Sequence, residues 1–365
     1  SLTLDMMGRP HGDQGYTPFL DELASRGLFF PQSFANGRRS IEGIAALVGG
    51  VPALMTEPFI SSPYATNTFY GLGTVLASQG YSSAFYHGGE NGTMYFDQFM
   101  RSAGVQRYYG AREYPESKDH DGTWGIWDVP FLQKMVDDLK TLRPPFAATV
   151  FTLSSHNPFK VPAEFTNRFP KGTSEIHEVM GYADEALRGF FARAELEPWY
   201  KDTLFIVTGD HTYRPVRARY QDELGQFRVP LFFFHPQIKK WPELDLQKPV
   251  QHIDVLPSIL DFLGVNFQSQ NLMGRSVFRQ GDRYVVLQSD GFYTLVSKGH
   301  TLTMDSKNQV RLYELQDPLA AAPPQPVIEL DLPEIRDDLL HKLKATRQYF
   351  SEGLWDNRLY FPSGR

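Results

Sequence analysis

Thr208-Gly209-Asp210-His211 follows the apolar run Leu204 to Val207, so a carboxylate and an imidazole stand side by side where a buried strand gives way to a loop. Asp offers a hard oxygen and His a neutral nitrogen, a mixture that suits manganese or zinc and tolerates magnesium less well. A hydrogen-bonded loop pair is the other role open to them. Ser154-Ser155-His156-Asn157-Pro158 follows a second apolar run, Ala147 to Leu153, and His87-Gly88-Gly89-Glu90-Asn91-Gly92 follows a third, Ser82 to Tyr86. Loops at the carboxyl ends of parallel strands open onto one rim, which makes His87 and His156 candidates for the same crevice as Asp210 and His211. Ser40 adds a hydroxyl: Asn36-Gly37-Arg38-Arg39 reads as a turn, and Glu42 falls in the first turn of the helical pattern that follows. Backbone N–H groups and the helix dipole favour an anion there, as a phosphoryl group beside a hydroxyl would be. Plain N-capping is the competing role for Ser40. His252 and Asp254 can converge as further ligands, or Asp254 can cap the helix that follows. His11, His120, His177, His235 and His300 lack comparable surroundings and read as surface or packing residues.

The elements that must hold these groups follow from periodicity. Ser82 to Tyr86, Ala147 to Leu153, Leu204 to Thr208 and Val229 to Phe234 are short, apolar and rich in β-branched or aromatic residues, as buried strands are. Between them Tyr16 to Arg26, Ser40 to Val48, Gly71 to Gln79, Trp127 to Leu142, Glu175 to Ala194 and Ile253 to Leu263 place apolar residues at helical spacing. The alternation predicts an α/β fold with a mostly parallel central sheet and helices on both faces. After about Asn266 the pattern changes to short strands, Tyr284 to Gln288, Phe292 to Ser297 and His300 to Met304, with Gly291 and Gly299 between them. Ala320 to Pro326 reads as a linker and Leu332 to Tyr349 as a packing helix. The expected division is a main domain over 1–265 and a small C-terminal one over 266–365.

Composition narrows the function classes. Of 365 residues 41% are hydrophobic, enough for a large core, and the net charge of -6 gives no long-range attraction for nucleic acid. The absence of cysteine excludes disulfides, thiolate metal sites and cysteine nucleophiles, and fits either redox compartment. No stretch approaches the roughly 20 apolar residues that span a bilayer. Ser1 follows no initiator methionine, and the chain reads as a fragment of something longer.

Ala35-Asn36-Gly37-Arg38-Arg39-Ser40-Ile41-Glu42-Gly43, Leu153-Ser154-Ser155-His156-Asn157-Pro158-Phe159 and Val207-Thr208-Gly209-Asp210-His211 occur in that order. Together they resemble the lipoteichoic acid synthase and osmoregulated-glucan phosphoglycerol transferase branch of the sulfatase, or alkaline phosphatase, superfamily. His87-Gly88-Gly89-Glu90-Asn91-Gly92-Thr93-Met94, Asp121-Gly122-Thr123-Trp124-Gly125-Ile126-Trp127-Asp128, His252-Ile253-Asp254-Val255-Leu256-Pro257 and Leu312-Tyr313-Glu314-Leu315 extend the likeness over nearly the whole chain. The resemblance implies a divalent metal, manganese with magnesium or zinc as alternatives, held by Ser40, Asp210 and His211. It makes Ser40 the nucleophile and His156 the histidine at the phosphoglycerol group, with Arg38, His87, Glu90 and Tyr95 near substrate. A phospholipid headgroup would be the donor: diacylglycerol leaves, a phospho-Ser40 intermediate forms, and a glycan or glycolipid hydroxyl, or water, resolves it. The domain would lie outside the cytoplasmic membrane, in a periplasm, anchored by helices upstream of Ser1.

Two departures from the family pattern matter. Its first metal ligand is a glutamate ending the opening strand, and Ser1-Leu2-Thr3-Leu4-Asp5 looks like the sequence just after it; Asp5 lies too far along to replace it. After His87 the lipoteichoic acid enzymes carry an acid, a tryptophan and an arginine, whereas Glu90, Tyr95 and Asp97 fall here. That change removes a bidentate phosphate contact and loosens any inference about substrate identity. A sulfatase needs Cys or Ser in a Cys/Ser-x-Pro-x-Arg motif, but Ser40 is followed by Ile41-Glu42-Gly43. Phosphoethanolamine transferases are disulfide-rich and use threonine. A catalytically silent envelope protein that binds headgroups or glycans is the rival from another class.

Overall fold

The structure, a computed structural model, describes residues 2–265, 272–320 and 328–359. Two compact units interleave along the chain: one of Ser1–Phe29, Gly73–Thr208 and Leu231–Trp241, the other of Phe30–Leu72, Gly209–Pro230 and Pro242–Arg365. The expected linker Ala320 to Pro326 and the start of the expected C-terminal domain at Asn266 fall largely or wholly outside the described residues.

The first unit holds α1 (Pro18–Arg26), β1 (Leu28–Phe29), β3 (Ser82–His87), α4 (Phe96–Ser102), β4 (Arg107–Tyr109), α5 (Asp128–Leu139), β5 (Phe146–Phe151), α6 (Ile176–Ala194), β6 (Phe205–Thr208) and β7 (Leu231–Phe234). β3 pairs in parallel with both β4 and β5, so His87 stands opposite Phe151 at a shared carboxyl end. β7 runs antiparallel between β1 and β6. On α5 the buried residues Phe131, Leu132, Met135, Val136 and Leu139 form the single stripe that a helix against a sheet needs. At the start of α1 the Asp184 carboxylate of α6 accepts the Phe19 and Leu20 N–H groups at 2.9 and 2.8 Å, which satisfies donors that Thr17 leaves uncapped.

The second unit holds β2 (Ser33–Phe34), α2 (Ser40–Gly49), β8 (Val250–Gln251), α7 (Val255–Phe262), β9 (Tyr284–Ser289), β10 (Phe292–Ser297), β11 (His300–Met304), β12 (Val310–Glu314) and α8 (Pro333–Trp355). α3 (Leu72–Ala77) starts at its edge and leads into the first unit. β2 and β8 pair in parallel and bring the stretch before Ser40 beside the stretch before His252. β9 to β12 form an antiparallel meander in the order β12-β11-β10-β9. Phe34, Phe227, Val285, Leu287 and Val296 share one apolar cluster, which ties the meander to β2. Leu339, Leu343, Phe350 and Leu354 are the buried stripe of α8. Among the described residues no helix is long and apolar enough to cross a membrane.

The fold is thus α/β, with parallel pairing in the sheet that carries His87 and an antiparallel C-terminal sheet, as the periodicity predicts. β4, β12 and α4 were not predicted; β4 has only three residues, too few to show a period against its flanks. The helix expected from Ile253 begins instead as a 3-10 turn over His252–Asp254 before α7.

Candidate active site

Ser40 is the first residue of α2, and Arg39, not Ser40, occupies the N-cap position. The job of a cap is done by Glu42, whose Oε2 accepts the Arg38 and Arg39 N–H groups at 2.8 and 3.0 Å. Its Oε1 holds the Arg39 guanidinium at 2.5 and 3.0 Å. With the helix end served this way, Ser40 turns its Oγ to His211 Nε2 at 3.2 Å. Plain N-capping is therefore not the role of Ser40, whose hydroxyl meets an imidazole instead.

Around His211 the tautomer follows from its partners. Nδ1 lies 2.8 Å from the Thr212 carbonyl, which can only accept, so Nδ1 carries a proton and Nε2 is the nitrogen turned toward the other polar groups. Nε2 lies 3.2 Å from Ser40 Oγ and 3.3 Å from Asp210 Oδ2. Orientation of one ring nitrogen by a backbone carbonyl is how ligating histidines are commonly held. One carboxylate oxygen, one imidazole nitrogen and one hydroxyl oxygen therefore converge, a donor set that fits a divalent cation. Among the described residues no group of three or more His, Cys, Asp or Glu side chains is placed to hold a metal ion; with Ser40 Oγ, Asp210 and His211 as donors, other atoms would have to complete a coordination shell of four to six.

The backbone around these groups is held by a buried polar network. His252 is fully buried; its Nε2–H donates to the Gly209 carbonyl at 2.9 Å and its Nδ1 accepts the Asn36 N–H at 3.4 Å. With both nitrogens occupied by main chain, His252 is not a ligand, and burial pulls its pKa down to about 4. Asp254 does not cap α7: its carboxylate accepts the Gln251 and Arg275 N–H groups at 3.0 and 2.7 Å. Gly43 on α2 faces the Asp210 carbonyl so closely that a Cβ would lie 2.2 Å from it.

Arg38 reaches away along the second unit, its Nη1 bonded to Ser289 Oγ and Asp290 Oδ2 at 3.0 Å each. This exposed ion pair is worth at most about 1 kcal/mol, so an incoming phosphate can compete for the guanidinium.

His87, Glu90, Tyr95 and His156 belong to the first unit. His156 is half-buried beside Trp124, ring centroids 4.2 Å apart, and Trp124 Nε1–H donates to the Asn157 carbonyl at 2.5 Å. The loop that carries it is anchored by buried Asp128, which accepts the Leu153 and Ser154 N–H groups at 2.8 and 3.0 Å while Ser154 Oγ accepts the Asp128 N–H at 2.9 Å. Glu90 is exposed. Tyr95, also exposed, follows Met94 with both residues in the left-handed region at φ 57° and 51°, a costly conformation for residues other than glycine. His87 sits inside the unit rather than on its rim: it is buried against Phe96 and Phe151, and Nδ1–H donates to the Phe151 carbonyl at 3.3 Å. Burial lowers its pKa to about 4, so as placed it braces a strand end as a neutral ring.

Asp128 has a measurable signature. Burial lifts its pKa from 3.8 to about 6 against the pull of its hydrogen bonds. The folded state therefore holds a proton that the unfolded chain releases near pH 4, and stability from this group, full below pH 4, is lost as pH rises through 6. Urea unfolding of the parent should lose roughly 3 kcal/mol against Asp128→Asn between pH 4 and pH 7. Parallel profiles for the two proteins would contradict the raised pKa.

Sequence reasoning singled out Ser40, Asp210 and His211, but it gave no role to Asn36, Trp124 or Asp128 and left His252 between two readings. The only available signal was their place in the quoted motifs, since what they do depends on partners distant in sequence.

A model of the sulfatase family matches residues 3–265. Lipoteichoic acid synthase 2 of Bacillus subtilis (strain 168) is 24% identical over 294 residues, covering 74% of this chain and 44% of that protein. Phosphoglycerol transferase I of Escherichia coli (strain 55989 / EAEC) is 26% identical over 212 residues, covering 53% of this chain and 28% of the relative. The chain spans less than half the length of these curated relatives. In fold it is similar to an alkaline phosphatase superfamily protein from Vibrio parahaemolyticus, with TM-score 0.83, 23% identity and coverage of 98% and 85% of the two chains. A lipoteichoic acid synthase from Listeria monocytogenes gives TM-score 0.82 at 16% identity, with coverage of 98% and 90%.

Proposed function

The chain belongs to the sulfatase family, and from that premise we propose that it is the catalytic part of a phosphoglycerol transferase, with Ser40 as nucleophile. The observation that carries this reading is the Ser40 hydroxyl at the start of α2, 3.2 Å from His211 Nε2, with Asp210 beside the same nitrogen. The names of the relatives, lipoteichoic acid synthases and phosphoglycerol transferases, support the substrate class.

Ser40 Oγ, Asp210 and His211 would hold a divalent cation, manganese foremost, with magnesium or zinc as alternatives. When bound, such an ion lowers the pKa of a hydroxyl and offsets charge on a phosphoryl oxygen. Ser40 Oγ attacks the phosphorus of a phosphatidylglycerol-type donor, diacylglycerol departs with a proton, and phosphoglycerol is left on Ser40. An acceptor hydroxyl of a glycan or glycolipid then takes the group and frees the serine. The start of α2 at Ser40 would favour the negative charge that develops there, and Arg38, once released from Asp290, would add a planar cation. By the family resemblance His156, Glu90 and Tyr95 would be substrate-binding residues, and His87, as placed, braces the end of its own strand. Donor and acceptor of this kind place the work at the outer side of a cytoplasmic membrane, in a periplasm or its equivalent.

The test is release of glycerol phosphate from a phosphatidylglycerol headgroup analogue by the manganese-loaded protein, with a chelator control. Turnover that stops with chelator and returns with manganese is expected. Binding of the analogue without any turnover would favour a silent binding domain, and turnover of sulfate esters alone would favour a sulfatase.

A further inference from the structure

We propose that His252 and Asn36 form a positioning clamp that sets the separation between the Ser40 hydroxyl and the Asp210–His211 pair, an inference that rests on the reading of this site as the catalytic one. Each nitrogen of the His252 ring is committed to a different main-chain segment. Nε2–H donates to the carbonyl of Gly209, the residue before Asp210, and Nδ1 accepts the N–H of Asn36, four residues before Ser40. A carbonyl only accepts and an amide N–H only donates, so one neutral tautomer serves both bonds, and neither the other tautomer nor the imidazolium can. A rigid ring thereby spans the loop that ends in the nucleophile and the loop that ends in the acid–imidazole pair.

Asn36 closes the same connection from its own side. Its Oδ1 accepts the Ile253 N–H at 3.0 Å, and its Nδ2 donates to Gln251 Oε1 at 2.8 Å. Ring and amide thus fix each other's main chain reciprocally, and Gln251 is itself paired through β8 to β2. The network is buried: His252 is 0% and Asn36 2% exposed, so a lost partner is not made up by bulk solvent. Gly43 removes the remaining slack, because α2 already touches the Asp210 carbonyl there. The bond between Ser40 Oγ and His211 Nε2 then follows from where the two loops are held. His252 keeps no ring nitrogen for substrate or cation, which makes it a positioning residue and not a catalytic one.

The test compares His252→Ala, His252→Gln, His252→Asn and Asn36→Ala well below their unfolding temperatures. Gln retains a donor toward Gly209 and Asn an acceptor toward Asn36. Displacement of reacting groups by about 1 Å costs on the order of 10²-fold in rate, so His252→Ala is expected to lose about that much kcat per folded molecule with KM within about threefold. Its manganese affinity should fall by about 10-fold or more, as when ligand-orienting partners are removed. The Gln and Asn variants should recover part of both losses, and crystal structures of the variants should show Ser40 Oγ and His211 Nε2 beyond hydrogen-bonding reach. A role confined to stability would lower the unfolding midpoint and leave kcat, manganese affinity and the Ser40–His211 separation unchanged, which overturns the clamp. If His252→Ala does not fold, the same three readouts on the Gln, Asn and Asn36→Ala proteins decide. A parent without phosphoryl transfer whose variants still lose the Ser40–His211 contact removes the proposed reaction and keeps the clamp. Active variants with an unchanged contact do the reverse.

Discussion

Ser40→Ala is expected to lower phosphoglycerol transfer by about 10³-fold or more in kcat, the scale seen when a nucleophile is removed from a set of groups acting together. The stability cost should stay within about 1 kcal/mol, because one partly buried hydrogen bond is lost and alanine favours a helix. Intact-mass spectrometry of the parent during turnover should reveal the added phosphoglycerol on Ser40, absent from the variant. Turnover that survives in Ser40→Ala assigns the nucleophile elsewhere, and a large loss of stability assigns Ser40 to the fold.

Gly43→Ala reverses the ordinary effect of its exchange. Within a helix, Gly to Ala usually stabilises by up to about 1 kcal/mol. At this position the added carbon would lie 2.2 Å from the Asp210 carbonyl oxygen, 2.9 Å from its carbon and 3.2 Å from its Cα, and all three are main chain. No rotamer change relieves such a contact, so either α2 or the Asp210 segment must move, at a cost of about 3 kcal/mol or more. Movement of either segment also separates Ser40 from His211. The expected result is a lower urea midpoint together with a loss of kcat beyond what the folded fraction explains. A variant as stable and active as the parent would mean that the two segments are free to shift without consequence for the chemistry.

Much of the site's inventory was legible in the chain. Strand runs ending at Tyr86, Leu153 and Thr208 announced where loops would begin, since a short apolar run must be buried and its polar sequel must leave the sheet. Asp210 and His211 followed from that, and Ser40 from the turn before a helical pattern. Arg38 was placed near substrate by the family resemblance, but its pairing with Asp290, 252 positions away, lies beyond any local pattern. His87 was read as a rim residue because it ends a strand, yet packing of Phe96 and Phe151 encloses it. β4, with three residues, escaped for lack of length, and the antiparallel course of β7 carries no mark in its composition.

Periodicity and residue type alone determined the alternation of strands and helices, the small antiparallel appendage and the presence of a hydroxyl, a carboxylate and an imidazole at element ends. Only the tertiary structure decided that Ser40 Oγ meets His211 Nε2, that Thr212 selects the tautomer, and that both nitrogens of His252 are spent on Gly209 and Asn36. The physical reason is range. Burial acts on each residue through its immediate neighbours and leaves a repeating trace, whereas a hydrogen bond between residues some 200 positions apart depends on a few ångströms of packing that no local pattern records.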